Sequence, residues 1–303
     1  AVNDFNNDGK ADIFWHHQLS GKTYVWEMDG FIRTNAAASF TINDTQWQVA
    51  GAGDIDNDGN ADIIWRHQGS GKNYVWLLEG VNIKTRYSFS TISTSWDIVG
   101  LSDLNGDGTD DILWRNKNDG RNWGYLMKNG QVDVSRQINT IADQNWQIAM
   151  TGDFNGDGYE DLVVTWAVFP HTLERESTKS QVEIYLNDGT GRLKKDHQFF
   201  FDREPPSRHM TYRIVVEDFN LDGIDDIFVG SMGLSKRNPD GSYTSFSEPN
   251  VLLLSDNGLM KDASNIIDYK GETSFSHDAS AGDVNGDGYP DILAGRTLFL
   301  NNL

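Results

Sequence analysis

Six copies of one nine-residue pattern, D-x-[DN]-x-D-G-x-x-D followed by Ile or Leu, constrain this chain more than any other feature of its sequence. Oxygen side chains stand at positions 1, 3, 5 and 9, Gly at position 6 allows a sharp turn, and position 7 contributes a backbone carbonyl. Together these form an all-oxygen cage of the kind a hard, adaptable cation such as calcium prefers. The candidate ligands are Asp4, Asn6, Asp8, Lys10 and Asp12 in the first copy, and Asp54, Asp56, Asp58, Asn60 and Asp62 in the second. The third copy offers Asp103, Asn105, Asp107, Thr109 and Asp111, and the fourth Asp153, Asn155, Asp157, Tyr159 and Asp161. Asp218, Asn220, Asp222, Ile224 and Asp226 form the fifth set, and Asp283, Asn285, Asp287, Tyr289 and Asp291 the sixth. One calcium ion per repeat, six in all, is the expectation.

The formal net charge of -20 follows largely from these loops, which hold nineteen ligand-position carboxylates. Six divalent cations would reduce that charge to -8, so the acidity reads as metal demand rather than as a disordered acidic face. A chain this acidic is repelled by phosphate backbones, which argues against a nucleic-acid partner. The absence of Cys removes disulfides and thiolate metal sites from consideration and leaves the redox compartment open. No apolar run is long enough for a membrane-spanning helix, so membrane insertion is not expected. The chain opens directly into a motif, as a mature protein or an excised domain would.

The motifs start at residues 4, 54, 103, 153, 218 and 283, at spacings of 50, 49, 50, 65 and 65. Periods of this size, filled by short apolar runs between Gly, Asn and Ser, predict four-stranded antiparallel blades of an all-β propeller. In the second repeat the expected strands are Trp47–Gly51, Ile63–His67, Tyr74–Leu78 and Tyr87–Ile92, with the metal loop in the hairpin between the first and second. The repeats run approximately 1–46, 47–95, 96–145, 146–210, 211–275 and 276–303, as one propeller domain. All ten Trp lie at or before Trp166, while the fourth and fifth repeats gain insertions, His171–Gln181 and Leu234–Asn250, between their second and third strands. The first and last repeats are short of a strand, so the ring either closes on an incomplete blade or continues beyond one end.

The stretches Ala50-Gly51-Ala52-Gly53-Asp54-Ile55-Asp56-Asn57-Asp58-Gly59, Thr151–Gly158 and Ile184–Gly191 resemble the FG-GAP or VCBS-type calcium repeats. Such repeats occur in integrin alpha-subunit propellers, fungal propeller lectins and many secreted bacterial proteins. The resemblance spans essentially the whole chain. It implies structural calcium in each blade and a secreted or cell-surface location, with adhesion or ligand binding as the activity. Its best-known members have seven blades, against six recognisable here, which leaves an incomplete seven-bladed ring as an alternative.

Position 12 of each motif holds Trp15, Trp65, Trp114, Val164, Val229 or Ala294 where an EF-hand needs Glu, so these are not EF-hands. Trp15, Trp65 and Trp114 are expected as wedges packed between blades. Trp26, Trp76 and Trp123, on third strands, are candidates for a partly exposed ligand surface. His17 and His67 recur before the second turn and are replaced by Asn116 in the third repeat, which suits a polar turn or a repeated pocket better than a catalytic centre. No nucleophile or zinc motif appears. Strand topology puts the insertions on the face opposite the metal loops, with Arg175, Lys179, Arg203, Arg208, Lys236 and Arg237 as a candidate patch for an anionic partner. The expectation is therefore a calcium-stabilised binding or adhesion module for a glycan or a surface protein. A polysaccharide lyase or hydrolase working from the insertion face is the first alternative, and a structural spacer the second.

Overall fold

A computed structural model describes residues 1–30, 32–166, 180–190, 192–195, 206–208, 211–231, 234–238, 240, 242–246, 248–267, 278–285 and 287–301. The chain is all-β, no described residue is helical, and its strands form six antiparallel meanders of the β-propeller class. Two compact units divide them, residues 1–142 and 143–303. In the first unit the blades are Val2–Asn3, Asp12–His16, Lys22–Asp29 and Ile32–Thr41, then Trp47–Gly53, Asp62–His67, Asn73–Glu79 and Asn82–Phe89, then Trp96–Ser102, Asp111–Asn116, Asn122–Lys128 and Gln131–Ile138. The second unit has Trp146–Gly152, Asp161–Trp166, Glu183–Asn187 and Leu193–Lys195, then Thr211–Glu217, Asp226–Ser231, Val251–Asp256 and Leu259–Asp262. Its third blade has three strands, Ala279–Gly282, Asp291–Ala294 and Thr297–Phe299.

The second strands of the second, third and fifth blades are runs such as Asp62-Ile63-Ile64-Trp65-Arg66, buried on both faces because a neighbouring strand or blade covers each side. The fourth strand of the second blade differs from its expected position, running Asn82–Phe89 instead of Tyr87–Ile92. Its alternation of exposed and half-buried residues marks an outer strand, whose polar positions Asn82, Lys84 and Arg86 disguised it in the sequence. The insertion of the fifth repeat contains a hairpin of its own, Leu234–Arg237 with Tyr243–Phe246. His171, Arg175, Lys179, His197, Arg203, His209 and His277 lie outside the described residues.

Blades within each unit are joined by the apolar residue at motif position 2, which leaves its own metal loop and enters the core of the next blade. Phe5 packs with Ile63, Trp65, Trp76 and Leu78 of the second blade, and Ile55 with Ile112, Trp114 and Met127 of the third. Phe154 packs with Ile227, Val229 and Leu253, and Phe219 with Ile292 and Ala294. Backbone hydrogen bonds follow the same route, with Ala61 N–H donating to the Asp4 carbonyl at 2.8 Å, Asp110 N–H to Asp54 at 2.8 Å, and Asp225 N–H to Asp153 at 3.1 Å.

Trp65 and Trp114 are the expected wedges, each about 1% exposed. Trp15 is not, being 46% exposed. It belongs to the first blade of its unit, which has no predecessor there to cover it, and it packs on Trp26 at a ring separation of 4.9 Å instead. Two buried cations that sequence reading missed sit beside these wedges. Arg66 donates to the carbonyls of Gly71, Ile92, Ser93 and Trp96 and lies 4.9 Å from the Trp114 ring centroid, while Arg115 donates to Gly120, Asn122 and Ile141. The signal was their shared place, four residues after the ninth motif position, where the first repeat has His16.

If position 2 is the joint between blades, truncating it has a position-dependent cost. Phe154→Ala should lower unfolding stability by about 3–5 kcal/mol, the usual cost of emptying a buried aromatic site. Val284, at the same position but 64% exposed, should tolerate Ala with a loss under about 1 kcal/mol. Urea midpoints of the two variants check this, and equal effects would refute the joint.

Candidate functional site

Each motif folds as a tight loop between the first and second strands, held by its own amides. The first Asp accepts the N–H of position 5 on one oxygen and that of the position 6 Gly on the other, as Asp54 does from Asp58 at 3.1 Å and Gly59 at 2.8 Å. The same pair recurs at Asp4, Asp103, Asp153, Asp218 and Asp283. The position 5 carboxylate accepts the N–H of position 7, which fixes Lys10, Asn60, Thr109, Tyr159, Ile224 and Tyr289. Such curling needs left-handed backbone at position 6, met by Gly with φ from 79° to 94°. Position 4 is left-handed as well in the five loops where it is described, and Leu221 adopts it at φ 58° where the other four have Asn or Gly.

Position 9 behaves differently from the rest. Asp12, Asp62, Asp111, Asp161, Asp226 and Asp291 are all buried, and each uses both oxygens on backbone amides. One oxygen accepts from position 2 of its own loop, as from Ile55 to Asp62 at 3.0 Å, and the other from the end of the third strand or, in the sixth repeat, from two residues past it, as from Leu78 at 2.8 Å in the second. The corresponding pairs are Phe5 and Met28 to Asp12, Leu104 and Met127 to Asp111, and Phe154 and Asn187 to Asp161. Asp226 accepts from Phe219 and Ser255, and Asp291 from Val284 and Asn301. In the first three blades the third and fourth strands slip register immediately before Met28, Leu78 and Met127. A bulge there leaves the amide free to turn to the carboxylate.

These closing carboxylates are short of positive charge. Burial pushes Asp62 and Asp111 up to about 8 and Asp161 and Asp226 up to about 7, against the opposing pull of their amide bonds. Asp110 and Asp225, at position 8 of their loops, accept the N–H of Asp54 and Asp153 in the preceding blade and are also raised by burial, Asp110 to about 6. The doubled Asp110-Asp111 and Asp225-Asp226 were the readable sign of this second staple.

The donor set fits a hard cation. Asp54, Asp56 and Asp58 bring carboxylate oxygens within 4.8 Å of one another, and Asp56 Oδ1 is buried without a hydrogen-bond partner. The Lys84 ammonium, from the fourth strand, donates to Asp56 at 3.2 Å and Asp58 at 2.6 Å, a positive group drawn to the place a divalent ion would take. In the other five loops Asn6, Asn105, Asn155, Asn220 and Asn285 replace the second Asp, and each side-chain amide donates to the position 5 carboxylate. Positions 1, 3 and 5 with the carbonyl at 7 are the groups that would hold calcium, and position 9, expected among them, also accepts backbone amides on both oxygens.

The remaining candidates separate. His67 Nδ1 accepts the N–H of Gly69 and Ser70, and His17 Nδ1 accepts from Ser20, the task Asn116 performs for Asn118 in the third repeat. His67 Nε2 pairs with Asp44 at 3.0 Å. The polar-turn role therefore accounts for the His, His, Asn series. Trp76 is buried, at 6% exposure, under Phe40 and Arg86, so it is not the exposed face expected of it. Trp26 is half-buried with Arg33 over its ring, and Trp123 half-buried with its N–H on Ser135. Arg208 donates to the carbonyls of Pro249 and Ser207, Arg237 lies on its hairpin strand, and Arg175 is outside the described residues. Of the insertion-face cations, Arg208 alone has a described side chain.

Comparison with known proteins places the loops in context. The FG-GAP-like repeat family matches residues 4–65, 54–114 and 103–164, and the FG-GAP repeat matches 275–302. Phosphatidylinositol-glycan-specific phospholipase D of Bos taurus is 33% identical over 156 residues, 48% of this chain and 18% of that protein. Integrin alpha-7 of Rattus norvegicus is 30% identical over 154 residues, 50% of this chain and 12% of that protein. The chain thus spans less than a fifth of either relative. Among solved structures, a protein of Bacteroides uniformis described as a 6-phosphogluconolactonase aligns over 84% of this chain and 71% of its own, at 10% identity and a TM-score of 0.45. The V. cholerae biofilm matrix protein Bap1 aligns over 85% of this chain and 37% of its own, at 19% identity and a TM-score of 0.34.

Two outcomes test the division of labour within the loop. Asp62→Asn leaves either Ile55 or Leu78 N–H without an acceptor and should cost about 1–3 kcal/mol in metal-free protein, whereas Asp58→Asn should mainly weaken calcium binding. Calorimetric melts with and without calcium separate them, and the reverse pattern would sink the assignment. The second outcome concerns pH. A carboxylate raised from 3.8 to about 7 or 8 on folding stabilises the fold fully below pH 3.8 and loses that contribution as pH rises through 7 to 8. Metal-free protein should therefore gain melting temperature from pH 8.5 to about 6, and saturating calcium, which favours the ionised forms, should flatten or reverse that slope.

Proposed function

The chain belongs to the FG-GAP repeat family, and from that premise we propose that it is a calcium-stabilised extracellular binding module of the adhesion type, with carbohydrate as its ligand. The observation that carries this reading is the double anchoring of the motif loops. The closing carboxylate ties each loop to its own blade. Between blades of one unit, the loop carbonyls receive amides of the next blade, as Asp4 does from Ala61 and Phe5 from Gly80. A loop so placed is a structural staple, and its calcium neutralises buried charge rather than meeting a ligand.

Open, mostly exposed carboxylate loops suit the weak sites of extracellular modules, which bind calcium on the order of 10⁻⁴–10⁻³ M. The resemblance to integrin alpha subunits supports an adhesive role, and the exposed aromatic rings of the first two blades, Trp15, Tyr24, Phe40 and Tyr74, support a sugar ligand, since aromatic rings pack on apolar ring faces. The ligand-binding role then falls to surfaces where the repeats differ, while the repeated parts supply rigidity.

Calcium removal should lower the melting temperature by mass action, because the ion binds only the folded loops. Adding back calcium, but not potassium, should restore it. An unchanged melt in excess chelator would end the staple reading. A glycan array probed in calcium tests the ligand: binding to a defined group of glycans, reduced by chelator through loss of fold, is expected, and an empty array would leave adhesion to a protein surface in its place.

A further inference from the structure

We infer that the cleft between the first and second blades is a binding site for an acidic sugar residue, a pyranose bearing a carboxylate such as a uronate. The inference rests on the carbohydrate reading above and deepens it. The cleft is a cavity of about 360 Å³, within the range of small-ligand sites, walled by Phe40, Trp47, Trp65, Tyr74, Trp76 and Arg86. Phe40 and Tyr74 expose 43% and 38% of their surface, an unusual amount for rings that already pack edge-on against Trp76 and Trp47. The apolar face of a pyranose matches such rings.

Two polar features narrow the ligand further. Trp65 is about 1% exposed, and its indole N–H is buried with no hydrogen-bond partner. Trp65 forms part of the cavity wall, and its N–H, having almost no accessible surface, meets a ligand oxygen only where the surrounding rings shift. The second feature is Arg86. Its guanidinium carbon lies 4.2 Å from the Phe40 centroid and 4.9 Å from that of Trp76, so two rings hold it, yet no carboxylate pairs with it among the described residues. A pre-organised planar cation with open donors is a receptor for a carboxylate, bound by two parallel hydrogen bonds. Asn43 and Asp44 also line the cavity and add acceptors for hydroxyl groups, with Asp44 already fixed by Gln46 N–H and His67.

The next pair of blades provides an internal contrast. Phe89, Trp96, Trp114, Trp123 and Tyr125 repeat the aromatic set, and Trp114 N–H is likewise without a partner. Where the second blade has Arg86, however, the third has Ser135, whose hydroxyl takes the Trp123 N–H. Aromatic walls and the orphan donor are thus shared; the second cleft has a guanidinium of its own, Arg121, 5.4 Å from the Trp96 ring centroid, but Asp119 pairs with it, whereas Arg86 is held by rings alone.

The test titrates the full chain, in calcium, with a short oligogalacturonate, with its neutral methyl ester and with acetate, read by tryptophan fluorescence and calorimetry. Binding of the acid oligomer is expected, with the ester at least about tenfold weaker and acetate alone ineffective, since one charge-assisted pair is worth at least a decade of affinity. Arg86→Gln should remove that preference, and Arg296→Gln, an exposed cation of the sixth repeat, should leave it intact. Should Arg86→Gln not fold, Arg86→Lys replaces it, with the preference for the acid over the ester expected to fall as the bidentate pair is lost. Equal affinity of parent and variant, or no binding of the acid oligomer, overturns the assignment. Binding of the ester or of neutral glycans alone overturns it while leaving the carbohydrate reading in place.

Discussion

A buried carboxylate bonded by two backbone amides is the interaction on which the rest of this structure depends. In every repeat it closes the metal loop, fixes the far end of the third strand and sets the start of the second, so three segments of the meander are registered by one side chain. Burying an anion without a counter-ion is costly, and hydrogen bonds from neutral amides offset only part of that cost. The raised proton affinity of Asp62, Asp111, Asp161 and Asp226 is the sign of the deficit. A divalent cation in the adjacent loop would offset that deficit, and the need for one would then follow from how the blade is registered.

Much of this was legible in the sequence because it repeats. The six loops, the blade period, the all-β class and the hairpin placement follow from spacing and turn chemistry, which are local properties. What local reading missed depends on neighbours. The roles within the motif were invisible, since a ligand and a staple are both Asp, and only the register slips at Met28, Leu78 and Met127 separate Asp12, Asp62 and Asp111 from the others. Arg66 and Arg115 looked like ordinary strand cations, and their burial becomes evident only when the carbonyls of the following turn fold over them. Trp15 was misplaced for the opposite reason, because an equivalent sequence position does not guarantee an equivalent neighbour.

The fourth strands illustrate where pattern reading fails in physical terms. An outer strand has one neighbour in its sheet and meets water over most of its length, so its composition approaches that of a loop. It is also where the structure concentrates its variation: Lys84 reaches a metal loop, Arg86 reaches a cleft, and the matching residues of the third blade, Asp133 and Ser135, do neither.

That distribution of variation bears on how such a scaffold acquires function. A residue in a second strand is locked between blades, and changing it disturbs packing on both sides. A residue on a fourth strand has the blade behind it and solvent before it, so a cation such as Arg86 can be introduced at little cost to the fold. It is then oriented by rings that the repeat already provides. The repeats thus set where a binding group will sit and how rigidly, and the single substitution that breaks the repeat sets what it binds. Rigidity in turn depends on the metal loops at the other end of the same meander, because Asp62 anchors Leu78 on the strand that carries Tyr74 and Trp76. The acidic loops and the aromatic cleft are therefore two ends of one element, and a change in the charge of the first is felt as a change in the order of the second.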